Sequence, residues 1–179
     1  MLSIQLLLFL LFLIFVAVTA KHLKFILFKD TAPFFFSKKG VIKKSLENIE
    51  VVPEMKVYEL GCGTAGFLKT VKKKHPDKGL RLVGVENFVL ALFLLKIQNK
   101  VFGHRIKIIN QDIFSMDISD ADLVYCFLNV PAMKEVKQKL LPSCSPGTTI
   151  ISYQFSLPGI KPKEVINYSK RDKIFIYKI

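Results

Sequence analysis

The beginning of the chain combines a long apolar run with a second, amphipathic pattern. Residues 4–20 carry no charge, and their length is at the lower end of what crosses a bilayer as a helix. Over residues 37–49, apolar positions recur at helical spacing with lysines between them. The pattern therefore predicts a transmembrane helix within residues 1–20, followed by a basic juxtamembrane segment and an amphipathic helix within 21–50.

Strand-like and helix-like patterns then alternate over residues 51–179. Apolar runs predict strands at 56–60, 81–85, 105–109, 123–128 and 148–155. Helical periodicity predicts helices at 67–74, 89–101 and 133–141. Two further β-rich runs, at 164–168 and 173–178, predict a closing hairpin. Because alternating strands and helices imply right-handed crossovers, we expect an α/β fold with a doubly wound, mostly parallel sheet and a C-terminal antiparallel hairpin.

Charge changes the interpretation of the apolar run. The chain has 27 Lys plus Arg against 14 Asp plus Glu, a formal net charge of +13, and its first charged residue is Lys21. The positive-inside rule then predicts a single-pass membrane protein with the following domain on the cytoplasmic side. The small residues Val18 and Ala20 leave a cleaved secretory signal open, but the absence of a basic residue before the run favours a retained anchor. The dense lysines after residue 20 predict contact with an anionic membrane surface.

Cysteine and histidine spacing excludes two classes of small domain. The cysteines are Cys62, Cys126 and Cys144, and the histidines are His22, His75 and His104. An odd number of cysteines without short spacing does not indicate a disulfide framework, and the scattered histidines form no metal-binding pair. We therefore expect no metal site.

A glycine-rich turn follows the first predicted strand. Residues 59–66 read E-L-G-C-G-T-A-G, and Glu86 ends the second strand 20 residues after Gly66. This arrangement binds either a dinucleotide such as NAD or S-adenosylmethionine, at the carboxyl edge of a doubly wound sheet. Glu59 would place a carboxylate beside a pyrophosphate, whereas S-adenosylmethionine carries an ammonium and a sulfonium and no phosphate. Glu59 therefore favours S-adenosylmethionine as the cofactor.

The glycine turn and the strand end V-G-V-E-N at 83–87 resemble two motifs of the class I, Rossmann-like S-adenosylmethionine-dependent methyltransferases. The resemblance implies a Rossmann-like fold in which the first acidic residue and the glycines hold the methionine part, the second acidic residue binds the ribose hydroxyls, and an aspartate after the third strand contacts adenine. The cofactor-binding residues that it implies are Glu59, Leu60, Gly61, Gly63, Gly66, Glu86, Asn87, Asp112, Ile113 and Phe127. In the alternative interpretation, the three carboxylates are solvated strand-end or capping groups.

A narrower resemblance covers residues 31–158. The stretch F-L-N-V-P-A-M at 127–133, with L-L-P at 140–142, is similar to the membrane-associated protein-lysine methyltransferases that include enzymes of the adenine nucleotide translocase and of the ATP synthase c subunit. It implies a protein substrate, with membrane-embedded proteins as one class. Asn129 and Pro131 also resemble part of the Asn-Pro-Pro-aromatic motif by which amino methyltransferases hold a planar nitrogen, although Val130 and Ala132 differ from it, and this second resemblance implies that Asn129 and Pro131 position the acceptor amine. The chain departs from this family at Ala65, where an acidic residue is usual, and at Asn129, which interrupts Phe-Leu-Val-Pro.

Together these observations predict a membrane-anchored S-adenosylmethionine-dependent methyltransferase that N-methylates lysine in a protein, with residues 1–20 as anchor and 51–179 as the methyltransferase domain. Two alternatives stay open. The net charge and the lysines at 72–74 are also typical of a nucleic-acid partner, so an RNA methyltransferase, or one acting on a small molecule, is the enzymatic alternative. Ala65 leaves room for a non-catalytic, membrane-tethered nucleotide-binding module. The sequence predicts no oligomeric state.

Overall fold

The computed structural model describes residues 2–28 and 36–179, and within helices and strands it describes the side chains of 4–20 and 36–179. The chain divides into two compact units, Met1–Phe35 and Phe36–Ile179. The predicted amphipathic helix belongs to the second unit. The basic juxtamembrane side chains predicted at 21–35 lie outside the described residues.

The first unit contains helix α1, Leu2–Phe28. Its described side chains, 4–20, are exposed, and the Thr19 hydroxyl donates to the carbonyl oxygen of Phe15 at 2.8 Å. Within the described part of the chain, no helix is both long enough and apolar enough for a membrane crossing. The predicted transmembrane helix is therefore not confirmed.

The second unit is built on one seven-stranded sheet of order β3-β2-β1-β4-β5-β7-β6. The strands are β1 Lys56–Leu60, β2 Arg81–Glu86, β3 Lys107–Asn110, β4 Leu123–Cys126, β5 Thr149–Tyr153, β6 Glu164–Asn167 and β7 Lys173–Lys178. The first five strands are parallel, whereas β7 is antiparallel to both β5 and β6. The expected mostly parallel sheet with an antiparallel C-terminal hairpin is thus confirmed, and the hairpin inserts its second strand next to β5.

Four helices pack on this sheet. They are α2 Lys39–Ser45, α3 Gly66–Lys74, α4 Val89–Phe102 and α5 Val130–Glu135. Helix α5 continues through a π-helical turn, Val136–Leu140, into a 3₁₀ turn, Leu141–Ser143. The prediction of a helix at 133–141 was wrong at its start, because Asn129 caps the helix three residues earlier than the apolar periodicity indicates.

The two faces of the sheet carry separate cores. In β4, Leu123 and Tyr125 pack on one face with α2, α3 and α4, while Val124 and Cys126 pack on the other face with α5. All four side chains are buried, as expected for a central parallel strand covered on both faces. This layering leaves the carboxyl edge of the sheet to the loops that follow β1, β2, β3 and β4.

Candidate active site

The site lies at the topological switch point of the sheet, between β1 and β4, where the strand order reverses. Strands β1 and β4 are neighbours, with Leu60 paired to Cys126, and the chain leaves their carboxyl ends toward opposite faces of the sheet. A crevice forms at such a switch point, and ligands of doubly wound proteins bind there. The predicted cofactor residues follow β1, β2, β3 and β4 in turn, so the structure brings them to one edge.

The glycine turn after β1 is strongly bent. Gly61 and Gly63 have φ of 63° and 51°, in the left-handed region that favours glycine. A Cβ atom on Gly61 would lie 3.2 Å from Cδ2 of Leu128. Ala65 shares this conformation, with φ of 56°, and is fully buried. The turn therefore requires small residues, and Ala65 has little room for the acidic side chain that the resemblance leads one to expect.

Glu59 ties the end of β1 to the start of α3. Its two carboxyl oxygens accept hydrogen bonds from the amides of Phe67, at 3.3 Å, and Leu68, at 3.1 Å. The side chain is buried, and this burial raises the pKa of Glu59 to about 8 against the lowering effect of the two amides. Its contacts are with the helix N-terminus, where a carboxylate is favourable. The structure thus shows Glu59 as the group that shapes the glycine turn.

Glu86 connects the glycine turn to the end of β2. Its Oε2 atom accepts from the amide of Gly63 at 2.9 Å. Its Oε1 atom accepts from the amides of Asn87, at 2.9 Å, and Phe88, at 3.0 Å. Three backbone donors hold the carboxylate in one orientation at the carboxyl edge. A carboxylate is an acceptor with about four lone-pair positions, so it can also receive a hydroxyl donor.

The predicted site residues that follow β3 are more exposed to solvent than Glu59 and Glu86. Asp112 is exposed and caps the 3₁₀ turn Ile113–Ser115, with its Oδ1 atom accepting from the amide of Phe114 at 3.2 Å. Ile113 is half-buried, and Asn87, next to Glu86, is exposed. Of the three predicted carboxylates, Asp112 is therefore the one that faces solvent.

The segment after β4 starts helix α5. Oδ1 of Asn129 accepts from the amide of Ala132 at 3.0 Å, which makes Asn129 the N-cap, and Pro131 occupies the first turn. The Phe127 ring packs on Tyr153 with ring centroids 4.3 Å apart. The structure thus gives Asn129 and Pro131 a role in starting the helix, and their role toward an acceptor stays a prediction.

Comparison with known proteins identifies the family. The model of the ANTKMT methyltransferase domain matches residues 59–164, which include the glycine turn, Glu86 and Asn129. This chain belongs to that family. A protein-lysine N-methyltransferase of Saccharolobus islandicus strain REY15A is 31% identical over 134 residues, covering 75% of this chain and 83% of that protein. The ANTKMT-type chain is therefore an S-adenosylmethionine-dependent methyltransferase, and the predicted cofactor and enzyme class are confirmed.

Solved structures agree on the fold of this ANTKMT-type methyltransferase. A Salinibacter ruber RNA methyltransferase in complex with S-adenosyl-L-homocysteine is similar with a TM-score of 0.74 and 23% identity, covering 81% of this chain and 94% of that chain. A precorrin-6y C5,15-methyltransferase of Geobacter metallireducens has a TM-score of 0.63 and 16% identity, covering 82% and 90%. Both similarities show the Rossmann-like fold.

The residues at the site fit the cofactor of the ANTKMT-type methyltransferases. The Glu86 carboxylate only accepts hydrogen bonds and is oriented by three amides, which suits a pair of hydroxyls on a ribose. A Cβ on Gly61 would crowd Leu128, so the backbone of the glycine turn at this position carries no side chain. Glu59 would act through the shape of the turn, since both of its oxygens bind α3 amides.

Sequence reasoning missed Gly84 in this methyltransferase. A Cβ atom on Gly84 would lie 2.9 Å from Sγ of Cys62, and the Cys62 amide donates to the carbonyl of Val85 at 3.0 Å. Gly84 thus lets the glycine turn rest directly on β2. A glycine within a strand pattern is the signal that could have indicated this close approach.

A second missed group lies across the ends of β4 and β5. Nζ of Lys38 contacts Oδ2 of Asp172 at 2.8 Å, and the Tyr153 hydroxyl donates to Oδ1 of Asp172 at 2.5 Å. The Tyr125 hydroxyl donates to Oγ of Ser37 at 2.7 Å. Hydrogen bonds from Lys38, a serine hydroxyl and Tyr153 hold the pKa of Asp172 well below its usual range. These contacts fasten the segment before α2 to the carboxyl edge of the sheet.

Proposed function

We propose that this methyltransferase N-methylates the side-chain amine of lysine in a protein substrate. The observation that carries the proposal is the 31% identity to a protein-lysine N-methyltransferase over three quarters of the chain. S-adenosylmethionine supplies an electrophilic methyl group. The chain would contribute the glycine turn to hold the cofactor, Glu86 to orient its ribose, and the capped start of α5, with Leu128 beside Gly61. Such positioning supplies most of the rate in transfers that need little acid-base help.

The acceptor amine must be neutral to react. Phe127 follows β4 at the carboxyl edge; its half-buried ring packs on the buried ring of Tyr153, the last residue of β5, with ring centroids 4.3 Å apart. A lysine amine placed against the Phe127 ring loses hydration, which lowers its pKa and favours the neutral nucleophile. We propose the Phe127 ring as the approach of the acceptor, with Asn129 and Pro131 holding the adjacent helix start.

The test is methylation of mixed acceptors by the purified full chain with radiolabelled S-adenosylmethionine. Membrane proteins, soluble proteins and RNA are offered separately, and labelled protein is hydrolysed to single amino acids. Glu86→Ala is the variant in which we expect weaker cofactor binding, and Glu135→Ala is the matched control, because the carboxylate of Glu135 is partly exposed and pairs with Lys139 at 2.9 Å. We expect the label in methyllysine. Label in RNA, or binding of S-adenosylhomocysteine without any transfer, would contradict the proposal.

We also propose that residues 4–20 attach the chain to a membrane, with the second unit on the cytoplasmic side. The support is an uncharged run followed by lysines, beginning with Lys21. Such a placement would raise the effective concentration of membrane-protein acceptors. The experiment is carbonate extraction of cell membranes, followed by protease digestion of sealed vesicles from each side. Release of the native chain by carbonate, while Leu8→Arg behaves identically, would overturn the attachment.

A further inference from the structure

Helix α4 exposes a continuous apolar face. Its inner side is held in the core by Ala91, Leu92 and Leu95. The outer side carries six large apolar residues whose exposure ranges from 42% at Leu94 to 76% at Val89. The six are Val89, Leu90, Phe93, Leu94, Ile97 and Val101. At 3.6 residues per turn they cover an arc of about 140°, which is a full helix face and not a scatter of single side chains. We call these six residues the α4 face.

The surroundings of the α4 face are basic. Lys96 and Lys100 lie along one edge of the arc, and both are exposed. Residues 87–111 contain no Asp or Glu and continue through Arg105 and Lys107, which are also exposed. Nζ of Lys72, from α3, donates to the carbonyls of Gly103 at 3.1 Å and His104 at 2.6 Å, which places another cation at the end of α4. The surface is thus apolar over the α4 face and positive along one edge and at its C-terminal end.

This combination selects one kind of partner. A helix with an apolar face and flanking lysines is the form that lies in the interface of an anionic bilayer, where acyl chains receive the face and phosphates receive the lysines. A second copy of the chain would bring the same positive charges against each other. Large exposed apolar surfaces on a protein mark an interaction site. Charge complementarity therefore favours anionic lipid over self-association.

The position of the α4 face relates it to the active site. Val89 lies three residues after Glu86, so the face begins at the carboxyl edge of β2 and runs along the outside of the sheet beside the edge strand β3. Docking of this face would hold the cofactor edge close to the lipid surface. We propose that the α4 face is a docking surface for an anionic lipid bilayer, separate from the attachment through residues 4–20.

The natural absence of tryptophan allows a direct test on the full chain. Phe93→Trp places a single tryptophan on the α4 face. Val165→Trp places one at a site of 43% exposure on β6, at the opposite edge of the sheet. Both variants are added to phosphatidylglycerol and phosphatidylcholine vesicles whose acyl chains are brominated. Because an interfacial helix buries its face about 5–10 Å into the boundary, we expect roughly twofold quenching of Phe93→Trp and little quenching of Val165→Trp.

The lysine edge is tested in the Phe93→Trp background. Lys96→Gln with Lys100→Gln should reduce the quenching on phosphatidylglycerol, whereas the matched pair Lys161→Gln with Lys163→Gln, near β6, should leave it unchanged. Equal quenching of both tryptophans, or of neither, would overturn the docking surface. A blue shift of Phe93→Trp without quenching would show a protein contact instead and would also overturn it. Quenching that is the same on neutral vesicles and insensitive to Lys96 and Lys100 would overturn the choice of anionic lipid. None of these readouts depends on methyl transfer.

Discussion

The amide of Gly63 donates to Oε2 of Glu86 at 2.9 Å, and this bond joins the glycine turn to the end of β2. The carboxylate of Glu86 holds the turn, and we predict that it also binds the ribose hydroxyls of the cofactor. We expect Glu86→Ala to weaken binding of S-adenosylhomocysteine by about 1–3 kcal/mol, the scale of losing hydrogen bonds to a charged group. Calorimetric titration measures this loss. An unchanged dissociation constant, with Glu135→Ala as reference, would show that Glu86 does not bind the ribose.

Gly84 and Cys62 form a steric pair. We expect Gly84→Ala to destabilise the fold by about 1–3 kcal/mol, because its Cβ would meet Sγ of Cys62 at 2.9 Å and overpack the contact. Urea unfolding measures the free energy. The double variant with Cys62→Ala should recover part of the loss, since the clashing sulfur is gone.

Gly66→Ala is the control for Gly84, because its Cβ would meet only Cδ1 of Ile42, at 3.8 Å, in ordinary contact. It should leave the free energy of unfolding nearly unchanged. Equal effects at both glycines would contradict the steric account.

Glu59 should make stability fall as the pH rises. Its pKa is 4.5 ordinarily and about 8 in the folded chain, so between these values the folded state holds a proton that the unfolded state has lost. The free energy of unfolding then declines by up to about 1.4 kcal/mol per pH unit. Glu59→Gln cannot titrate and should remove this part of the slope, although it also loses an acceptor. Parallel pH profiles of the native chain and the variant, measured by urea unfolding, would show that Glu59 does not carry the slope.

Asp172 should act with the opposite sign. Its folded pKa is lowered by Lys38, so its ionised form stabilises the fold above the ordinary pKa of aspartate, and this contribution disappears as the pH falls through the folded value. We expect Asp172→Asn to lower the melting temperature at pH 7 and to approach the native chain at low pH. Differential scanning fluorimetry measures the difference. Asp77→Asn, at an exposed site, should follow the native chain at both pH values, and a constant deficit for Asp172→Asn would rule out the ionic contribution.

Two substitutions separate the roles of Asn129. Asn129→Ala removes the cap of α5 and should destabilise the fold by about 1 kcal/mol, whereas Asn129→Ser keeps a capping oxygen and most of the stability. If Asn129 also positions the acceptor, Asn129→Ser should lose methylation rate while its melting temperature stays near that of the native chain. Normal kcat and KM in this variant would restrict Asn129 to capping.

Local patterns in the sequence determine much of the fold without reference to tertiary contacts. Strand β1 was predicted with its observed bounds, and α3 and α4 within one residue at each end, because apolar periodicity, glycines and His75-Pro76 act over a few residues. The glycine turn and Glu86 were found by spacing, since α3 and β2 separate them by a nearly constant length in this fold. The cofactor class followed from the carboxylate of Glu59 and from the resemblance of the two motifs.

Only the tertiary structure decided what the side chains at the site do. Glu59 was predicted to face the cofactor, yet its oxygens bind amides of α3, and Asn129 caps a helix that the periodicity placed later. The insertion of β7 between β5 and β6 and the pairing of Lys38 with Asp172, 134 residues apart, have no local pattern in the sequence. Such contacts join segments that are distant in the sequence. They depend on the packing of the whole core, and a local pattern of residues does not carry that information. The sequence by itself therefore determined the elements, the glycine turn and the cofactor, while the packed chain decided the strand order and the partner of each polar group.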